Sequence, residues 1–351
     1  MRSLLLTLTT CLFILPAQAK YSGGTGEPND PYQIAMAADL IALGETPADY
    51  DKHFILTANI DLDPNLPGRK VFDKTVIAPT SPISAYPYVQ GTPFTGIFDG
   101  NGHGISHLTI RGGSWLGLFG RLNRGAEVRD LGVVDVNIGD PASTSGGLVA
   151  FNAESATIAC CSFSGSVESA RSGSSRRGGL VGENSGRISF SYSAGSVSAA
   201  AWSGGLVGHN AGVVYSCYST SSVAREDSAR VSDASTGGLV GENWQGGTVS
   251  KCYSIGPVGS SSPWGSVGGL VGHNYQGTVT DSFWDSQTSG QATSAGGTGK
   301  STAEMQTAKT FLDVGWDFVG ETANGTDDIW WILEGKDYPW LWWERGDAAS
   351  P

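Results

Sequence analysis

Histidine is the residue of this chain best suited to bind a transition metal or to transfer a proton at neutral pH. A zinc hydrolase would need two histidines one helical turn apart, in the order H-E-x-x-H, with the glutamate as general base. No histidine stands in that pattern; the five are His53, His103, His107, His209 and His273. We therefore predict no metal site, no cofactor and no zinc-dependent protease activity.

Glutamate and histidine alternate at one position of a repeated motif. The stretch GGLVGEN occurs at 178–184 and 237–243, with close copies at 146–152, 204–210 and 268–274. If successive copies stack about 4.8 Å apart, His209 and His273 lie about 9.6 Å apart, too far to share one zinc ion. An outward-facing, hydrogen-bonded surface ladder is the favoured interpretation. The sixth position that forms it holds Phe151, Glu183, His209, Glu242 and His273.

Tryptophan and arginine occur in the variable stretches before the motif copies. Trp202 and Trp264 have flat apolar faces suited to sugar rings, and Arg176 and Arg177 add positive charge. Ligand-binding residues tend to lie on loops held by a rigid scaffold. If these stretches share one edge of the molecule, the four residues form the most plausible ligand surface.

A further pair lies in the segment FDGNGHGI, at 98–105. Asp99 and His103 could serve as acid and base in polysaccharide cleavage. The letters DGNG are also an ordinary turn sequence. The turn is favoured, and no catalytic residue is predicted.

The elements that must position these residues repeat with the motif. Its Gly-Leu pair recurs every 26–33 residues, beginning at Gly117, Gly147, Gly179, Gly205, Gly238 and Gly269. Periods of this length indicate a solenoid, a propeller or a similar stack. Most copies contain a segment ending in Asn, an alternating segment such as VVYSCYS (213–219), a short segment ending in Val, and a variable polar stretch.

Three short strands and a loop in about 30 residues fit one coil of a parallel β-helix. A propeller blade needs about 40–45 residues, a left-handed β-helix keeps a strict hexapeptide period, and leucine-rich repeats need a longer leucine frame. We predict an all-β fold: a right-handed, three-sided parallel β-helix of the pectin-lyase-like type, with short helical and aromatic caps. The right hand rests on analogy.

Stacking predicts columns of like residues. A structural asparagine ladder would consist of Asn152, Asn184, Asn210, Asn243 and Asn274. A second column holds Cys161, Ser191, Cys217, Cys252 and Ser282, and an aromatic residue follows each, from Phe163 to Phe283. Because serine replaces cysteine at two rungs, free thiols are favoured over a disulfide between Cys217 and Cys252.

The two ends of the chain differ from the middle. We predict a signal peptide at 1–19, cleaved after Ala19, an N-terminal cap at 20–90, the β-helix at 91–290 and a Trp-rich C-terminal cap at 291–351. A helix over 37–43 would cover the first coil, and a helix over 302–312 would begin at Thr302 as N-cap. The five tryptophans between 330 and 343 would form a lid over the last coil.

The charge balance narrows the choice of partners. The formal net charge is −12, which disfavours nucleic acids and anionic membranes because both need a basic face. No segment after the signal peptide is apolar enough to span a bilayer. We expect the protein to be secreted or held at the cell surface.

Taken together, these motifs resemble the GLUG-repeat proteins of bacteria over roughly residues 90–290. The resemblance is carried by GLVGEN (179–184, 238–243), GLVGHN (205–210, 269–274), GLVAFN (147–152) and the CYS that follows (217–219, 252–254). It implies an extracellular or cell-surface β-helix, as in adhesin-like proteins and beside the catalytic part of IgA-specific metallopeptidases. Without the zinc motif, this chain would be at most an accessory repeat.

The sequence favours a non-enzymatic β-helical repeat protein for adhesion, surface architecture or glycan binding. The alternative is a polysaccharide lyase or glycosidase on the same scaffold, which needs clustered carboxylates with a basic residue. A third hypothesis is an accessory module whose partner is a separate protein. Glycans or cell-surface proteins are the expected partners; the ligand and the oligomeric state stay open.

Overall fold

The computed structural model describes residues 20–82, 89–139, 144–168, 175–199, 201–225, 234–260 and 265–345. Over these ranges the chain is a parallel β-helix, which confirms the predicted fold class. No helix in them is long and apolar enough to cross a bilayer. The predicted signal peptide, 1–19, and Trp264 lie outside the described residues.

The central coils each contribute strands to four parallel ladders, which we number in the order a coil passes through them from its Gly-Leu pair. The first ladder contains Phe119–Leu122, Val149–Asn152, Val181–Asn184, Val207–Asn210, Val240–Trp244 and Val271–Tyr275. The second contains Tyr32–Ile34, His53–Leu56, Ile97–Asp99, Glu127–Arg129, Thr157–Ala159, Arg187–Ser189, Val213–Tyr215, Thr248–Ser250 and Thr278–Thr280. The third contains Ile60–Asp61, Gly104–Ser106, Gly132–Gly139, Ser162–Val167, Tyr192–Ala199, Tyr218–Ser219, Tyr253–Ser254, Phe283–Asp285 and Thr298–Lys300, with Thr109–Arg111, Ser222–Arg225 and Val258–Ser260 alongside. The fourth contains Trp115–Leu116, Thr144–Gly146, Arg176–Gly178, Trp202–Gly204, Ser235–Gly237 and Ser266–Gly268.

The remaining elements lie near the two ends. Two antiparallel pairs join Ser81–Pro82 to Val89–Gln90 and Trp330–Trp331 to Trp340–Leu341. The helices are Ala37–Gly44, Thr302–Met305 and Ala308–Leu312, with 3-10 turns at Pro47–Asp49 and Trp342–Arg345.

The fourth ladder adds a strand to the three expected in each coil. Its strands are the residues just before the Gly-Leu pair, and they fold back against the first ladder. Backbone meets backbone at this contact: a Cβ on Gly208 would lie 2.5 Å from the amide nitrogen of Arg177. A Cβ on Gly182 would lie 2.9 Å from the amide nitrogen of Ser145. This close approach explains the glycine at the fifth letter in four of the five motif copies; the exception is Ala150. Neither Gly182 nor Gly208 has a positive φ, so backbone conformation does not require glycine there.

Left-handed backbone appears instead at the corner between the second and third ladders. The residue there has a φ of 48–52° in six successive coils, although none is glycine: Asp130, Cys160, Phe190, Ser216, Lys251 and Asp281. A side chain in this region costs roughly 1–2 kcal/mol. The ladder hydrogen bonds on both sides of the corner must therefore hold the conformation in place.

The asparagines at the ends of the first-ladder strands form one buried column. Each Nδ2 donates to the Oδ1 of the next rung, at 2.7–2.9 Å, from Asn152 to Asn274. The Nδ2 of Asn210 also donates to the carbonyl oxygens of Gly212 and Thr248, at 3.2 and 3.3 Å. The column thus gives partners to turn carbonyls that would otherwise be buried without one.

The four cysteines of the described residues are free thiols. Cys161, Cys217 and Cys252 are fully buried. The Sγ of Cys217 donates to the carbonyl of Tyr215 at 3.2 Å, and the Oγ of Ser191 donates to that of Ser189 at 2.8 Å. Cysteine and serine interchange in this column because both can donate to the carbonyl two residues before them.

An aromatic column runs along the outer side of the third ladder. Tyr192, Tyr218, Tyr253 and Phe283 pair in register. The three tyrosine rings stack with centroids 4.9 Å apart. Phe163 is not part of it, because it pairs with Ser193 and packs in the interior. The two-residue period of a strand places it on the opposite face.

The tryptophan cluster covers this aromatic column and not the last coil, so the predicted position of the lid is wrong. The ring of Trp330 lies 6.0 Å from Tyr253, and that of Trp343 lies 5.6 Å from Tyr192. The last coil is followed instead by the segment 291–297. There Ala295 packs against the core, and its amide donates to the carbonyl of Val271 at 2.9 Å.

Helices at both ends follow from their sequences. Leu40 and Leu43 of Ala37–Gly44 are fully buried in the main core, so this helix packs against the first coil as expected. The predicted helix over 302–312 is two short helices, and its N-cap is Ser301. The Ser301 hydroxyl accepts from the amide of Glu304, whose carboxylate in turn accepts from the amide of Ser301, which is a capping box.

We expect Asn210→Ala to lower the free energy of unfolding by about 3 kcal/mol, because it leaves buried partners on two rungs unsatisfied. Asn274→Ala is the matched control: it lies at the end of the column, is partly exposed and should cost only about 1 kcal/mol. Equilibrium denaturation of both variants measures the difference. Equal losses would contradict a cooperative ladder.

We expect the thiols of Cys161, Cys217 and Cys252 to resist iodoacetamide in the native protein. Burial raises the pKa of each of the first two thiols, and alkylation requires a solvent-accessible thiolate. Mass spectrometry should show full labelling of all three after denaturation without reductant. A mass that does not increase unless reductant is added would reveal a disulfide.

Candidate functional site

The sixth motif position and the first residue of each fourth-ladder strand face each other along one line, which we call the seam. On the first ladder the seam contains Arg121, Phe151, Glu183, His209, Glu242 and His273. On the fourth ladder it contains Trp115, Thr144, Arg176, Trp202, Ser235 and Ser266. The rings of Trp202 and His209 lie 6.4 Å apart. Side chains seven residues apart in sequence meet because the chain reverses direction at the Gly-Leu pair.

Arg176 contacts an indole ring and a carboxylate of the seam. Its guanidinium carbon lies 5.3 Å from the ring centroid of Trp202. Its Nη1 lies 3.4 Å from Oε2 of Glu183, and both side chains of this ion pair are largely buried. Such a contact favours arginine over lysine, because the planar guanidinium can stack and pair at the same time.

Glu242 is buried and lies between the histidines of the two adjacent rungs. Its Oε1 lies 3.1 Å from Nδ1 of His273, and its Oε2 lies 3.6 Å from Nε2 of His209. Each oxygen faces a different ring. In the part of the chain that the structure describes, no group of His, Cys, Asp and Glu is arranged to hold a metal ion.

Burial sets the protonation state of this row. Desolvation lowers the pKa of His209 to about 4, and the positive charge of Arg176 acts in the same direction. His209 is therefore neutral at pH 7, and its contact with Glu242 is not an ion pair there. Desolvation raises the pKa of Glu183, although Arg176 opposes this shift.

Aromatic residues that the sequence analysis did not single out extend the seam. Trp115 packs edge-on against Phe151, with ring centroids 5.5 Å apart. Trp244 stacks on Tyr275 at 4.5 Å and lies 6.3 Å from His209. Trp244 and Tyr275 could have been found from the sequence, because each directly follows the asparagine of its motif copy.

The seam is not the open surface ladder that the sequence predicts. The fourth ladder covers it, so the side chains of Glu183, His209 and Glu242 are largely buried, whereas that of His273 is 44% exposed. The sequence does not predict the fourth ladder, because its short strands lie in the stretches assigned to variable loops.

Arg177 does not belong to a ligand surface, and that prediction is wrong. The residue is 1% exposed, and its Nη1 donates to the carbonyl oxygen of Ser198 at 3.0 Å. Adjacent residues of a strand point to opposite faces. Arg176 and Arg177 therefore cannot contact the same ligand. Trp264, the fourth residue of the predicted surface, lies outside the described residues.

Asp99 and His103 lie at another corner, after the second ladder. Both Nε and Nη2 of Arg129 donate to Oδ2 of Asp99, at 3.0 and 2.9 Å. The amide of Asn101 donates to Oδ1 of Asp99 at 2.7 Å. Asp99 therefore stabilises the turn that the letters DGNG predict, and it is held by an arginine of the next coil.

Comparison with protein-family models finds no match. A protein of Evansella cellulosilytica, provisionally named a Gly-rich membrane protein, is 36% identical over 106 residues, which are 29% of this chain. Halomucin of Haloquadratum walsbyi is 30% identical over 168 residues, which are 46% of this chain. The aligned parts are only 11% and 2% of the lengths of these relatives.

A solved structure from Bacteroides ovatus, provisionally assigned as an immunoglobulin A1 protease, resembles nearly the whole chain. The match covers 92% of this chain and 96% of that one, with a TM-score of 0.61 and 17% identity. At this identity the match establishes the β-helical fold alone.

We expect His209→Gln to remove a pH-dependent part of the stability. Between pH 4 and about 6.5 the unfolded chain binds a proton at residue 209 that the folded chain does not, so the free energy of unfolding falls as the pH falls. The wild type should lose on the order of 2 kcal/mol more than the variant across this window. Chemical denaturation of both proteins from pH 4 to 8 measures this difference. A difference that does not change with pH would contradict a neutral, buried His209.

Proposed function

We propose that the mature chain is a non-enzymatic β-helical binding protein, secreted or held at the cell surface, that acts in adhesion, surface architecture or glycan binding. The seam is the observation that carries the proposal. It combines the indole of Trp202, the guanidinium of Arg176 and the carboxylates of Glu183 and Glu242 on one rigid line, although the sequence distributes them over three coils.

The chemistry of the seam suits a sugar ring. A half-buried indole offers an apolar face to ring C–H groups, and the partly exposed side chains of Arg176 and His273 can hydrogen-bond to hydroxyl groups. Glycans, alone or on cell-surface proteins, are the partners that this combination favours. The net charge of −12 continues to disfavour nucleic acids.

The proposed location rests on the N-terminal sequence. Residues 1–19 have the charge, the apolar run and the small residues at 17 and 19 that are typical of a cleaved signal peptide. The name of the Evansella relative refers to a membrane, which supports a location at the cell envelope. We further propose that the coils are GLUG repeats, because the asparagine at the seventh letter joins one hydrogen-bonded column in all five copies and the fifth letter is glycine in four of them, with Ala150 as the exception.

One observation favours a second candidate function, a polysaccharide lyase or glycosidase. Arg129 joins Asp99 to Glu127, whose Oε1 it contacts at 2.8 Å, so a basic residue does stand among carboxylates at that corner. Such a cluster is what these reactions require. Turnover of a polysaccharide that Asp99→Ala abolishes would establish this second function and overturn the first.

A glycan array probed with residues 20–351 tests the proposal. We expect binding to at least one glycan class, and we expect Trp202→Ala to weaken it by about tenfold because the apolar face is lost. Leu333→Ala is the control, since Leu333 is an exposed apolar residue on the cap, outside the seam. Binding that is unchanged in Trp202→Ala, in a variant with native circular dichroism, would exclude the seam as the binding surface.

A further inference from the structure

A recess separate from the seam lies where the C-terminal cap ends on the solenoid. We call it the cap groove. Corner and third-ladder residues of successive coils, from Asp99 to Ser162, line one part of it, and Tyr192, Trp340, Trp343 and Glu344 line another. The groove encloses about 830 Å³. That volume lies within the range of small-molecule sites in proteins.

The groove exists because one column of the third ladder changes from small to aromatic residues. In register, the column reads Gly104, Gly132, Ser162, Tyr192, Tyr218, Tyr253 and Phe283. The cap packs on the aromatic part, and its last turn, Trp342–Arg345, reaches Phe190 and Tyr192. The three rungs with small residues line the groove instead.

The aromatic part of the groove is rigid. Tyr192 stacks on Tyr218 on one side and lies 5.6 Å from Trp343, with 23° between the ring planes. The Nε1 of Trp343 donates to the carbonyl of Phe190 at 2.9 Å, which fixes the orientation of the indole. Because Tyr218 and Trp343 both stack on Tyr192, the indole of Trp343 is the preformed apolar face that the groove presents to a ligand, with little ordering to be done on binding.

The rest of the groove is polar and offers short side chains. Asp99 is held by Arg129, while Asn101 and Ser162 bring amide and hydroxyl groups to the lining. No lysine or arginine is among the residues that line it. Burial raises the pKa of Glu344 to about 7 and also raises that of Asp130. Glu344 is therefore only partly ionised near pH 7. The guanidinium of Arg129 beside the groove is already paired with Asp99 and Glu127.

We infer that the cap groove binds an uncharged saccharide, with a sugar C–H face against Trp343 beside the edge of Tyr192, and with hydroxyl groups towards Asp99, Asn101 and Ser162. Rigid rings beside hydrogen-bonding groups are the combination that sugars need. A uronic acid or a phosphorylated ligand would meet carboxylates there, while the guanidinium of Arg129 is already paired with Asp99 and Glu127. This inference is independent of the seam, which lies on the first and fourth ladders.

Calorimetric titration with trisaccharides tests the inference. The probes are the neutral cellotriose, maltotriose, xylotriose and chitotriose, and the anionic trigalacturonate. Val134→Trp fills the groove, because Val134 lines it and is 41% exposed, so that a larger side chain can be accommodated without disturbing the core. Val71→Trp is the matched control at a 47% exposed position that does not line the groove.

We expect at least one neutral trisaccharide to bind, Val134→Trp to weaken that binding by about tenfold or more, and Val71→Trp to leave it within about twofold. Trigalacturonate should not bind. Failure of all neutral probes, or equal affinity in Val134→Trp, would overturn the inference. Binding that Trp202→Ala removes and Val134→Trp keeps would place the saccharide at the seam, which contradicts the groove and supports the proposed function.

Discussion

The backbone contact between the first and fourth ladders is the constraint on which the rest of the structure depends. At Gly208 a side chain would lie 2.5 Å from a main-chain nitrogen, so glycine at this letter lets the two strands approach; one copy has the small residue Ala150 instead. The approach folds the end of each variable stretch over the sixth motif position. Burial of Glu183, His209 and Glu242 follows from it, and so does the depressed pKa of His209.

Polar columns then fix how one coil stacks on the next. A change of register between coils at Asn210 would break three side-chain hydrogen bonds at once, to Asn184, Asn243 and Thr248. A hydrophobic column of Leu and Val tolerates such a slip more readily, since dispersion contacts have little directional preference. The motif copies share this asparagine because each side chain donates a hydrogen bond to one neighbouring rung and accepts one from the other.

The parts that could be predicted from the sequence are those set by this periodic stacking. The repeat length predicts the β-helix, and the Asn and Cys/Ser columns follow from the alignment of copies. The fourth ladder could not be predicted, because its three-residue strands carry no period of their own and lie at the ends of loops of unequal length. The left-handed corner was also missed, because its residues, from Asp130 to Asp281, include no glycine to mark it. The position of the tryptophan cluster depends on the outer face of a distant column, which no local pattern reveals.

Both candidate ligand surfaces lie at positions where the stacking of coils does not determine the residue type. At the seam, glycine at the fifth letter allows the fourth ladder to pack over the first, whereas the sixth letter can be Phe, Glu or His. At the cap groove, the outer column is free to be Gly, Ser or Tyr, and the switch at Ser162–Tyr192 decides where the cap must end. A ladder scaffold holds both surfaces at a rung spacing of about 4.8 Å with little freedom to adapt. On the proposals made above, recognition relies on ligands that fit a preformed spacing, and changes of specificity should map to these two columns before any other part of the coil.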